Sequence, residues 1–143
     1  MEDNELILEA EENHYEKEVR ERFLESLQER GLKFIEPSSY ELFIDCDSEE
    51  QFKVFLQQLL IVERNLEQEL PFQDWFSRSG PPRRHIIVQM PFSMSPPERI
   101  AWQAALGSDL KREVLSLIRW RKKEICPTIF IEQEDFVKGG NNA

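Results

Sequence analysis

The chain has 143 residues, 28 Asp/Glu against 18 Lys/Arg for a formal charge of −10, and 40% hydrophobic residues that include ten Phe and three Trp. That length suits one domain around one core, and this aromatic content excludes an intrinsically disordered chain. No apolar run reaches membrane-span length, the acidic start "MEDNELILEAEEN" lacks the features of a signal peptide, and Cys46 and Cys126 are too few for a four-cysteine zinc site, so a reduced, cytoplasmic protein with no membrane partner is expected.

In "NHYEKEVRERFLESLQERGLKF" Tyr15, Val19, Phe23 and Leu27 recur every fourth residue, which predicts a helix, and Gly31 stands where it stops. In "LKFIEPSSYELFIDCDS" two short apolar segments flank Pro37-Ser38-Ser39 and predict a hairpin. Ser48 caps a second helix, "EEQFKVFLQQLLIVERNLEQEL", whose first-turn glutamates suit the helix dipole, and Pro71 lies past its end. "DWFSRSGPPRRHIIVQMPF" holds two strand patterns joined by a Gly-Pro-Pro loop. Pro82 has no N–H for a ladder, so the second of these strands begins after it. In "SPPERIAWQAALGSDLKREVLSLIRWRKK" Ser95 caps one helix, and Gly107-Ser108-Asp109 breaks it and caps another. "PTIFIEQ" is a last strand and "KGGNNA" a loose tail.

From residue 40 the order is strand, helix, strand, strand, helices, strand. It predicts an α+β fold, a ferredoxin-like (RRM-like) split βαβ palm with an added N-terminal helix and β-hairpin. An acidic helical segment over 1–32 packs on a core over 33–134, and 135–143 form a flexible tail. Helices cover one face of the sheet and leave the other partly open. Strand alternation puts Leu42, Ile44, Cys46, Ile86, Val88, Met90, Ile129 and Ile131 under the helices. Phe43, Asp45, Asp47, His85, Ile87, Gln89, Phe130 and Glu132 then share the open face, and a slip of one residue in any strand would undo this sorting.

Charge is unevenly distributed. Residues 1–77 balance to −14, residues 78–123 to +7 and residues 124–143 to −3. The net charge argues against a nucleic-acid partner, whereas the basic stretch supplies a local surface for one; two solvated helices of opposite sign account for it equally.

Asp45 and Asp47 aim two carboxylates at one point, and Glu132 can add a third. Hard oxygen ligands of this kind suit Mg²⁺ or Mn²⁺, and two such ions assist in-line phosphoryl chemistry. "SRSG" can cradle a phosphate that Arg83, Arg84 and His85 neutralise. Each feature also has an ordinary explanation. A DxD often marks a strand end entering a helix cap; Trp75, Trp102 and Trp120 fit core or helix contacts; "RWRKK" over 119–123 fits a solvated helix end.

The order "LFIDCDS", "SRSGPPRRHIIV", "TIFIE" resembles the catalytic core of the archaeo-eukaryotic primase superfamily, the primase-polymerases, and "ERIAWQAALGSDLKREVLSLIR" resembles the helical segment of its compact phage or mobile-element members. The resemblance covers residues 33–134. It implies a template-dependent nucleotidyltransferase, in which Asp45, Asp47 and Glu132 bind two Mg²⁺ or Mn²⁺ ions and are catalytic, with Glu134 and Asp135 as rival third ligands. Ser79 and His85 would contact the incoming nucleoside triphosphate, with Arg78, Arg83 or Arg84 nearby. The basic residues Lys111, Arg112, Arg119, Arg121, Lys122 and Lys123 would hold a single-stranded DNA template, and a helicase or accessory replication subunit would be a partner. Two alternatives stand beside this reading: a non-catalytic ferredoxin-like module that binds nucleic acid or protein, and a metal-dependent nuclease that uses the same carboxylates.

Overall fold

The computed structural model describes residue 18 and residues 20–123 and 128–138; Tyr15, Cys126 and most of the expected tail lie outside them. In chain order the elements are α1 over 20–29, β1 (Leu32–Ile35), β2 (Glu41–Cys46), α2 (Glu49–Leu66), β3 (Phe72–Phe76), β4 (Arg84–Gln89), α3 (Pro96–Ala105), α4 (Leu110–Arg121) and β5 (Phe130–Gln133). The fold is mixed α+β with two small antiparallel sheets. Among the described residues no helix is long and apolar enough to cross a membrane.

The helices start where side-chain oxygens can satisfy free backbone N–H groups. Ser48 accepts from the Gln51 N–H, Ser95 from Glu98 and Asp109 from Arg112. Gly107 separates α3 from α4 at φ +84, a left-handed conformation that L side chains resist. A Cβ there would also come within 3.2 Å of Val54 Cγ1 on α2, so the kink and the packing both favour glycine.

Strands β2, β4 and β3 form one sheet in that order, so β2 and β3 run parallel on either side of an antiparallel β4, and α2 connects them. The apolar stripe of α2 buries Phe55 and Leu59 against Leu42, Ile44, Cys46, Ile86 and Val88. Each such side chain contributes about 2 kcal/mol on leaving water. The predicted alternation of β2 and β4 therefore holds on the helix-covered face.

Two expectations are corrected. The segments flanking Pro37-Ser38-Ser39 do not pair with each other; β1 pairs instead with β5, Ile35 opposite Phe130 and Leu32 opposite Gln133. The second face of the sheet is also not open. Phe130 of β5 packs with Phe43 and Ile87 there, with Ile35 and Trp75 at the margin, and the Phe43 and Phe130 rings stack at 4.6 Å.

The reason lies at the outer edge of β2. Backbone groups of Glu41, Phe43 and Asp45 that face away from β4 are taken by α3, α4 and the turn between them. Arg99 Nε donates to the Glu41 carbonyl, and Arg112 Nη1 to that of Phe43 at 2.7 Å. Gln103 Oε1 accepts from the Phe43 N–H at 2.8 Å, Ser108 Oγ accepts from the Asp45 N–H at 3.1 Å, and the Asp109 N–H donates to the Asp45 carbonyl at 2.8 Å. With its edge satisfied by helices, β2 offers no ladder to β1 or β5. Those two strands pair with each other and lie across the sheet as a ribbon.

Gln103 is fully buried, and its amide also donates to Glu113 Oε1 at 2.8 Å. Gln103→Leu strands the Phe43 N–H and half of the Glu113 carboxylate at once. Urea denaturation is expected to show a loss of about 2–4 kcal/mol with an unchanged slope.

Candidate functional site

His85 lies in the middle of the three-stranded sheet, and its cross-strand neighbours are Asp45 on β2 and Trp75 on β3. The ribbon closes over this row. Phe130 stacks flat on the imidazole, with ring centroids 4.0 Å apart and planes 2° from parallel. Glu132, two residues on and so on the same side of β5, brings Oε1 to 2.8 Å from His85 Nδ1 and 3.0 Å from Trp75 Nε1. Where Glu132 is ionised it only accepts and the imidazole then donates from Nδ1, while Nε2 faces Asp45 Oδ1 at 3.8 Å. Asp45, His85 and Glu132 are all buried.

At the mouth of this row stands Arg83, the residue just before β4. Its Nη2 and Nε donate to Asp45 Oδ2 and Oδ1 at 2.8 and 3.3 Å, a two-pronged pairing, and Nε also lies 3.3 Å from Asp47 Oδ1. Arg83 and Asp47 are half exposed and Asp45 is buried, so the ion pair forms a lid between the interior and water. Burial, then the negative charges of Asp45 and Asp109, holds the Asp47 carboxyl above its usual range, and the Arg83 charge works against them. The hydrogen bond to Asp45 raises the Arg83 pKa further, with burial opposing it and the Asp45, Asp47 and Asp109 charges adding to it. Cys46, between the two aspartates in sequence, is buried on the helix side, and burial followed by the Asp45 and Asp47 charges pushes its thiol up to about 12.

The remaining expected site residues are dispersed. Arg84 points to the opposite face, where its guanidinium lies over Phe52 and Phe76 at 4.3 and 4.5 Å and pairs with Asp74 and Glu49. Arg78 donates to the Ile131 carbonyl on β5, and the Ser79 hydroxyl bonds that of Ser77 at 2.7 Å. Arg112 is turned inward to β2 and Glu113, and its Cζ lies 5.1 Å from the Phe130 ring centroid, whereas Lys111, Arg119, Arg121, Lys122 and Lys123 are exposed. Glu134 and Asp135 follow β5 in the turn beyond the cluster.

Sequence reasoning read Asp109 only as a cap, yet its charge acts on both Asp47 and Arg83. Nothing local in the sequence signals this, because the contact depends on α4 docking at the edge of β2. Glu41 was also missed. It is buried and accepts from Lys138 at 2.6 Å, the Ser38 N–H at 2.8 Å and Gln89 at 3.1 Å. Burial pushes its carboxyl up, but those three bonds and the Lys138 charge leave it below its ordinary value.

The cluster does not fit a two-cation centre as it stands. The imidazole lies between the carboxylates of Asp45 and Glu132, both Asp45 oxygens are held by Arg83, and Glu132 Oε1 already takes two donors. Among the described residues no group of three or more His, Cys, Asp and Glu side chains is placed to hold a metal ion. The guanidinium supplies the positive charge that two adjacent aspartates need. No protein family, curated protein or solved structure matches the chain.

Because the folded chain holds the Asp47 proton more tightly than the unfolded chain, the Asp47 contribution to stability is full below its unfolded pKa and is lost as pH rises through the raised folded value. Arg83→Ala removes a lowering influence, so the Asp47 carboxyl resonance is expected to titrate at still higher pH in that variant. The same change leaves Asp45 buried without its counterion, and urea denaturation at neutral pH should register a loss of about 2–4 kcal/mol.

Proposed function

We propose that the chain is a nucleic-acid-binding module on a ferredoxin-like core, in which α4 meets a single strand and the Asp45–His85–Glu132 cluster is architectural. The observation that carries this reading is the end of α4, where Arg119, Trp120, Arg121 and Lys122 are consecutive and exposed. Cations spaced along a helix end track phosphates, and an exposed indole offers a face on which a base can stack. Lys111 adds a further exposed charge at the start of the helix. The ferredoxin-like assignment is supported by the split βαβ order, with β4 between β2 and β3 and α2 crossing from one to the other. The closed hydrogen bonding of Asp45 and Glu132 favours a structural over a catalytic role for them.

A second reading, metal-dependent nucleotidyl transfer by Asp45, Asp47 and Glu132 as the primase-polymerase resemblance implies, is favoured by one observation: β2, β4 and β5 bring Asp45 and Glu132 to either side of His85. The two readings part at Arg83. The binding module keeps it on Asp45, whereas the enzyme must release it.

Fluorescence anisotropy with a labelled single-stranded oligonucleotide is expected to give binding that weakens steeply with salt. Trp120→Ala should weaken it by about tenfold, and Arg119→Ala with Arg121→Ala should flatten the salt slope by about 1.4. Calorimetry with Mn²⁺ and a nucleoside triphosphate should give no heat, and primer extension no product. Nucleotide incorporation that Asp45→Ala abolishes would select the second reading, and strand loss would select a nuclease.

A further inference from the structure

Helix α4 presents an apolar stripe as well as charge. Leu110, Val114, Leu117 and Ile118, at helical spacing along one side, are 68, 47, 43 and 43% exposed, and Leu115 and Trp120 extend the patch. The helix is held to the core by other positions, Arg112, Glu113 and Ser116. The stripe is rimmed by Lys111, Arg119, Arg121 and Lys122, and contiguous exposed apolar residues inside a polar rim mark interaction sites.

The chain itself carries a segment of the opposite character. Residues 1–17 contain Glu2, Asp3, Glu5, Glu9, Glu11, Glu12 and Glu16 against one basic residue, Lys17, and an apolar triplet, Leu6-Ile7-Leu8. Arg20 donates to Glu36 at 2.5 Å and its guanidinium lies 5.5 Å from the Phe34 ring. The next residue, Ile35, pairs with Phe130, and the Phe130 ring lies 5.1 Å from the Arg112 guanidinium of α4. Phe34 and Ile35 point to opposite faces of β1, so α1, packed on Phe34, and Arg112 of α4, beside Phe130, flank the ribbon from its two sides. A 12-residue helix is about 18 Å long, and each extended residue reaches about 3.3 Å, so a ten-residue tether outreaches the length of α4.

We propose that residues 1–17 dock on the exposed face of α4, with Leu6-Ile7-Leu8 on the stripe and the carboxylates on Lys111, Arg119, Arg121 and Lys122, as a built-in competitor for the ligand of that face. Opposite charge favours the contact, and the tether raises the effective concentration. The docking itself stands apart from the proposed function; its regulatory consequence rests on the nucleic-acid reading of α4.

The test uses the full chain and zero-length carbodiimide cross-linking of carboxylates to lysines, read by mass spectrometry on the monomer band. Links from Glu2, Asp3, Glu5 or Glu9 to Lys111 or Lys122 are expected. They should fall by about tenfold in a Leu6→Ser, Ile7→Ser, Leu8→Ser variant, or at about 0.5 M NaCl. Links absent from the monomer, found only at dimer mass, or indifferent to the triple substitution would overturn the docking. In the same variant oligonucleotide affinity should rise by about tenfold; equal, measurable affinity in both proteins would overturn the regulatory consequence. If the links behave as expected and neither protein binds oligonucleotide, the docking is supported and the nucleic-acid reading of α4 falls.

Discussion

The architecture depends on how one strand edge is satisfied. β2 carries its ladder to β4 on one side, and on the other it is held by Gln103, Ser108, Asp109, Arg112 and Arg99. A buried backbone group left unpaired costs as much as a lost hydrogen bond, so these contacts from α3, α4 and their connecting turn decide where every later segment can go. β5 is excluded from the sheet and pairs with β1. The resulting ribbon finds its burial on the second face, over Phe43 and His85. Glu113 is drawn inside by the same arrangement, through Gln103 and Arg112, and its burial raises its carboxyl pKa.

A consequence is that the polar row at the centre of the molecule lives in a low-dielectric setting. Two buried carboxylates are tolerable there because each has dedicated donors: Arg83 for Asp45, and Trp75 with His85 for Glu132. Charges in such a place repay their desolvation only with good geometry, and the two-pronged Arg83 contact provides it. The DxD sequence at the end of β2 thus has a physical account within the chain. Its second aspartate lies at the surface, where the arginine that serves the first also reaches it.

Local patterns carried much of this in the sequence. The caps at Ser48, Ser95 and Asp109, the break at Gly107 and the start of β4 after Pro82 are all local chemistry, and all are found. Period-two alternation also sorted Leu42, Ile44 and Cys46 from Phe43 and Asp45, and it put His85 and Glu132 on the side of Asp45. What was not legible was pairing. A four-residue strand such as β1 fits either β2 or β5 by pattern, and the choice was made by polar side chains on α3 and α4, far along the chain. Arg84 and Arg112 were misleading for the same reason, since a basic residue read as solvent-facing can instead lie over Phe52 or bind a strand carbonyl.

The ribbon has one further property. β1 and β5 are hydrogen-bonded to each other, and β5 is fastened to the main sheet through the side chains of Phe130 and Glu132 rather than through a shared ladder. Those two residues serve Phe43, His85 and Trp75 together. Lifting β5 by even one residue would deprive an indole, an imidazole and an aromatic stack of their partners in the same instant. One short strand thus carries the partners of three aromatic groups at once, with Arg78 on the Ile131 carbonyl and Lys138 on Glu41 as its further ties.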